Sequence, residues 1–227
     1  MSASLARLIA GQVCIHASMT GMRMAAPLLA LREGYSAVAV GLLLALFALT
    51  QVFLALPAGR YADRHGLKRP VKYAVIVAAV GTGAAVLFPT FPVLCFAALC
   101  TGAATGCATI ALQRHVGRAA HDPTQLRQVF SWLAIGPAVS NFIGPFFAGL
   151  LIDHAGAYAG STTGYRAAFA MMMGMALLTW FWVRTAQEMP AVIAPNGGKR
   201  QKAWDLLKDP NFRRLLILNW LLSSCWD

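Results

Sequence analysis

Gly59-Arg60-Tyr61-Ala62-Asp63-Arg64-His65-Gly66-Leu67-Lys68-Arg69 is a run of cations around one acid, with a glycine near either end. Glycines permit a tight reversal of the chain, and an acid among cations can accept their charge-assisted hydrogen bonds. Immediately before the run lies an apolar stretch, Ala37 to Ala58, and immediately after it another, Val71 to Phe88. Each has about the 20 apolar residues that a helix needs to cross a bilayer core. A charged turn between two such stretches predicts an antiparallel pair of membrane-spanning helices.

The same pattern continues in both directions. Leu5 to Leu31, Val93 to Leu112, Val129 to Ile152 and Ala167 to Thr185 are equally long and apolar, which predicts six spans. The first is longer than a signal-peptide core, is crossed by Arg23, and is followed by further spans, so it reads as a retained helix. A seventh begins near Leu215 and is only thirteen residues long at Asp227, a rise of about 20 Å. Basic residues divide unevenly between the connections. Arg60, Arg64, Lys68, Arg69 and Lys72 follow the second span, and Arg114, Arg118 and Arg127 the fourth. After the sixth come Arg184, Lys199, Arg200, Lys202, Lys208, Arg213 and Arg214, whereas the opposite connections hold only Arg32 and Arg166. Cytoplasmic loops are the ones enriched in Lys and Arg, so the N-terminus and the even-to-odd loops are expected in the cytoplasm.

Composition agrees with a lipid solvent. Of 227 residues 58% are apolar and 12% charged, too little polar surface to cover a soluble core. The net charge of +11 sits in clusters between apolar stretches rather than on one solvated face, which argues against nucleic acid as a partner. The five cysteines, Cys14, Cys95, Cys100, Cys107 and Cys225, lie in apolar runs without paired spacing. They read as small buried residues, not as a disulfide framework or metal ligands. Between Ala186 and Asn211 the sequence turns polar, with Pro190, Pro195, Asn196, Gly197 and Gly198 marking a linker. Its second part, Lys199 to Asp209, places Trp204 and Leu207 on one side of a possible surface helix, which Pro210 would end.

The run at residues 59–69 resembles the signature loop of the major facilitator superfamily, G-x-L-A-D-R-x-G-R/K-R/K. Gly59, Ala62, Asp63, Arg64, Gly66 and Lys68 match, Tyr61 stands for the usual leucine and Leu67 for a usual basic residue. The resemblance implies an all-α integral membrane fold, normally two six-helix bundles around a midplane site, of which this chain would hold the N-terminal bundle. It also implies that Asp63 helps latch the two halves and exchanges partners between states. The usual partner helix belongs to the second half, so that latch is expected to stay open here.

The fifth span carries Gly136-Pro137 and Gly144-Pro145-Phe146-Phe147-Ala148-Gly149. This is similar to the G-x8-G-P-x-x-G-G motif of the family's proton-coupled exporters, with Gly136 one position late and Ala148 in place of a glycine. Gly136, Ser140, Gly144 and Ala148 also recur every four residues, a small-residue stripe that suits plain close packing. In the fourth span the exporters' proton-linked arginine position falls on Ala98, leaving Gly102 and Gly106 as a GxxxG contact face.

The polar residues inside the spans are the candidates for a substrate and coupling cavity. Gln12, His16, Met19 and Arg23 share one face of the first helix by their spacing. A charge in a span is costly unless it faces protein or water; Arg23 either lines a cavity or snorkels to the surface. His16 either carries protons or is a hydrogen-bonded interior residue. Gln12 and Gln51 either meet the solute or bond between helices. Asn141 and Asp227 complete the set, and a lone buried carboxylate at Asp227 would favour its protonated form.

Three segments are expected: a six-helix bundle over 1–185, a cytoplasmic linker over 186–211 and the start of a seventh helix over 212–227. The function this implies is secondary active transport of a small organic solute, proton-coupled and leaning towards efflux, across a bacterial inner membrane. The alternative is a half-size or truncated membrane protein that acts as an interaction unit. Expected partners are the lipid bilayer, a small solute, protons and a second half of the fold. No GxxxxGK[ST], HExxH or GxSxG run occurs, so neither ATP hydrolysis nor another enzyme activity is indicated. No cofactor or metal is called for.

Overall fold

A computed structural model describes residues 3–119, 122–159, 162–188 and 209–224. The chain divides into two compact units, Met1–Ala191 and Val192–Asp227. The first holds six helices, α1 (Ala3–Arg32), α2 (Ala37–His65), α3 (Lys68–Leu87), α4 (Phe91–Ala119), α5 (Pro123–Ala159) and α6 (Thr163–Val183); the second holds α7 (Pro210–Ser224).

The helices outlast the apolar stretches that announce them. α2 runs seven residues past Ala58 and α4 seven past Leu112, because hydrophobicity ends where the bilayer core ends whereas backbone hydrogen bonding does not. At 29 residues α2 is about 44 Å long, against about 30 Å of hydrocarbon. Residues 59–65, expected as a loop, are therefore the last two turns of a helix. Only Gly66 and Leu67 separate α2 from α3, and Gly66 takes φ 75°, a conformation that suits glycine.

α2 to α6 are long and apolar enough to cross a membrane. α1 has the length but not that apolarity, which modifies the expectation of six equally apolar spans. Its position explains the difference. α1 packs against α5, α6 and α4 extensively and also touches α2 and α3, so neighbouring helices rather than lipid cover Gln12, Ser18 and Thr20. The outer helices show the complementary pattern, exposing Val38, Leu42, Val52, Phe53, Tyr73, Val80, Phe142 and Phe181. An apolar exterior of that extent belongs in hydrocarbon.

Two apolar clusters fill the bundle. One joins Met22, Leu29, Leu43, Phe47, Leu94, Phe169 and Met172. The other joins Leu8, Ile15, Leu67, Val71, Leu112, Val116 and Val183, and so brings the start of α1 beside the ends of α2, α4 and α6. Arg7, Arg60, Arg64, Arg114, Arg118 and Arg184 consequently gather at one end of the bundle.

In the second unit Asp209 caps α7, its carboxylate accepting from the Asn211 amide at 2.9 Å, and Pro210 opens the helix. The expected surface helix at 199–209 and Asp227 lie outside the described residues, Asp209 excepted.

Candidate functional site

α1, α2 and α4 form a half-open cavity of about 200 Å³ lined by His16, Gln51, Thr105, Gly106, Thr109 and Ile110. Its walls come together because α4 is built of small residues: a side chain at Gly102 would overlap the Phe47 carbonyl of α2, and one at Gly106 would press on Gln51. Three helices thus converge with polar groups still on their inner faces. Gln51 Nε2 donates to Met19 Sδ at 3.1 Å, tying α2 to α1, and Thr105 Oγ1 donates to the Ile15 carbonyl at 3.4 Å.

Other polar atoms here are buried without a hydrogen-bond partner among the described residues. They are His16 Nδ1 and Thr109 Oγ1 in the cavity wall, and Gln12 Oε1 one turn along α1. Buried polar groups are nearly always satisfied, so a cluster of unsatisfied ones marks a place able to bind something polar. Gln12 is 3% exposed and packs against Gly136 of α5. Arg23, two turns beyond His16 on α1, is exposed and does not line the cavity. Asn141 is exposed on α5, next to the buried Ser140. The structure therefore brings His16 and Gln51 together, with Gln12 behind them, and leaves Arg23 and Asn141 apart. Thr105 and Thr109 went unmarked in the sequence, although Thr101, Thr105 and Thr109 repeat every four residues through an apolar stretch.

The small-residue stripe of α5 lies against α1. Gly136, Ser140, Gly144 and Ala148 are all buried, and a side chain at Gly144 would overlap Thr20 Oγ1, the Ala17 carbonyl and the Gly21 amide. Hydroxyls cross the seam both ways: Ser140 Oγ donates to the Val13 carbonyl at 3.1 Å and Thr20 Oγ1 to the Ser140 carbonyl at 2.9 Å. Pro137 and Pro145 are half-buried within the same continuous helix, and Gly149 packs against Met24.

At the basic end, Asp63 is paired within this bundle. Arg114 of α4 donates to its carboxylate through Nε, and to the Ala62 and Asp63 carbonyls at 2.9 and 3.2 Å. The sequence placed Asp63 among the cations of its own loop; because residues 59–65 are helical, the carboxylate meets α4 instead. Gly59 faces Ile110 one turn earlier, and Arg64 is exposed. Beyond Gly66, the Lys68 amide donates to Glu188 Oε1 at 3.0 Å. Leu67 offers no side-chain cap to α3, so Glu188, five residues past the end of α6, supplies it.

Among proteins of curated function none matches the sequence. Among solved structures the fold is similar to the crystal structure of the POT family transporter PepTSo, with a TM-score of 0.66 at 15% identity. That match covers 100% of this chain and 47% of the other, so the chain spans about half the length of that transporter. Residues 8–226 match the profile of the Major Facilitator Superfamily. With six packed helices, an apolar exterior and nearly the whole sequence matched, the chain belongs to the Major Facilitator Superfamily.

Proposed function

We propose that this chain forms the N-terminal half of a secondary transporter that moves a small organic solute, with proton coupling and a lean towards efflux. The observation that carries the reading is the cavity between α1, α2 and α4, where His16 and Thr109 present polar atoms without a partner among the described residues, beside Gln51. A polar pocket inside an apolar bundle is costly unless it serves a solute or ion pathway. His16 is the titratable side chain among those lining this cavity, which makes it the candidate proton carrier. The exporter-like residues of α5 favour efflux. Residues 1–185 form the bundle on this reading, 186–211 the connection and 212–227 the beginning of a second bundle. The basic end faces the cytoplasm of a bacterial inner membrane.

The test is transport by the full protein in inverted vesicles against a panel of amphiphilic organic ions. Accumulation that collapses with an uncoupler, and that His16→Ala or Arg23→Ala removes, supports proton-coupled transport with those residues on the path. Accumulation unaffected by the uncoupler refutes the coupling, and unchanged transport in Arg23→Ala removes that residue from the path.

A second reading is a truncated or half-size membrane protein with no transport of its own, acting as an interaction unit. Co-purification with a separately encoded six-helix partner would favour it over transport by one continuous polypeptide.

A further inference from the structure

A second cavity, of about 490 Å³, lies between α2, α3 and α4, away from His16. Leu54, Pro57 and Tyr61 form one wall at i, i+3 and i+7 of α2; Tyr73 and Val77 of α3 form the other, and Ala104 of α4 the floor. Contact between α2 and α3 is sparse while α4 packs on both, so the seam stays open over a floor of small side chains. Leu54, Tyr73 and Val77 are exposed along it, beside the apolar residues that give the bundle its lipid-like exterior. Apart from the two tyrosine hydroxyls the lining is apolar.

One end of this trough is charged. Tyr61 and Tyr73 meet edge to face at 6.1 Å, an arrangement suited to the bilayer interface, where aromatic rings keep one side apolar and one wet. Arg64 lies one turn past Tyr61 on α2, Arg69 one turn before Tyr73 on α3, and Lys72 beside it; all three are exposed or partly so. None is in an ion pair among the described residues. The acids nearby are engaged, Asp63 by Arg114 and Glu188 by the Lys68 amide. An apolar trough therefore ends in uncompensated positive charge, the complement of a lipid with a hydrocarbon chain and an anionic head.

We infer that the α2–α3–α4 trough binds one anionic phospholipid, its acyl chain over Ala104 and its phosphate on Arg64, Arg69 and Lys72. This site is separate from the solute cavity and does not depend on what the protein transports.

The experiment uses the full protein in phosphatidylcholine vesicles doped with phosphatidylglycerol that carries a diazirine on its acyl chain. Photolabel is expected to concentrate on peptides containing Leu54–Tyr61 and Tyr73–Val77 over those containing Phe142 and Phe147. A diazirine phosphatidylcholine should label these faces evenly. Replacing Arg69 and Lys72 with Gln should reduce the phosphatidylglycerol excess about fivefold per cation removed, and Val77→Trp, at an exposed position, should block the trough. Even labelling by phosphatidylglycerol overturns the inference, as does an excess that survives Arg69→Gln/Lys72→Gln. A trough that takes no label while other faces do is occupied by a protein helix or a second copy, and that also overturns it.

Discussion

Arg114 holds Asp63 from the neighbouring helix and, with the same guanidinium, caps the end of α2 by donating to the Ala62 and Asp63 carbonyls. The ion pair joins a mostly buried arginine to a mostly exposed carboxylate. Screening limits such a pair to about 0.2–1 kcal/mol, so the carbonyl bonds should contribute the larger share. Arg114→Ala is expected to lower the thermal midpoint in detergent more than Asp63→Asn does. Equal shifts would mean that the carboxylate alone matters.

Glu188 supplies what α3 lacks at its first turn. Glu188→Ala should cost about 1 kcal/mol, as other lost helix caps do, and should speed hydrogen exchange of the amides around Lys68. Exchange unchanged at Lys68 would show that water replaces the cap without loss. Gly66→Ala should be worse, because φ 75° strains any side chain there and the added carbon would run into Glu188.

Gly144 and Gly174 make a matched pair of tests. Gly144→Ala forces a methyl into Thr20 and the α1 backbone, an overpacking expected to cost about 1–3 kcal/mol. A methyl at Gly174 would meet nothing within 4 Å, and Ala there should stabilise α6 by about 0.5–1 kcal/mol. Differential scanning fluorimetry distinguishes them; a stable Gly144→Ala protein would contradict the close seam.

Thr109→Val separates binding from folding. It removes a buried hydroxyl that has no partner among the described residues, which relieves a desolvation cost of about 1–3 kcal/mol. The variant should therefore melt at a higher temperature and transport at least about tenfold more slowly, if the hydroxyl meets the solute with about 1.4 kcal/mol of selective stabilisation. Unchanged transport with higher stability would leave Thr109 outside the path.

Much of the bundle was legible from alternating apolar and basic segments, because a bilayer imposes length and charge rules that short-range sequence reveals. The helix ends were less so. Residues 59–65 carry four charged or titratable side chains besides Tyr61, and nothing in that composition distinguishes a loop from a helix leaving the membrane. The partners of Asp63 and Lys68 were hidden for another reason: Arg114 and Glu188 lie 51 and 120 positions away, and only the packing of α2 on α4 and α6 on α3 brings them close. At the cavity, polar spacing on α1 singled out His16, yet Thr105 and Thr109 were lost among residues that pass for ordinary members of an apolar helix. Arg23, on the same stripe as His16, was separated from it by exposure, which spacing cannot express.

The seam between Gly144 and Thr20 also shapes how this chain can vary by descent. A larger residue at position 144 meets the Ala17 carbonyl and the Gly21 amide as well as the Thr20 hydroxyl, so shortening position 20 makes no room for it and gives up the bond to the Ser140 carbonyl. Position 144 is thereby held to glycine whatever stands at position 20, and homologues that pack this seam in the same way should keep it.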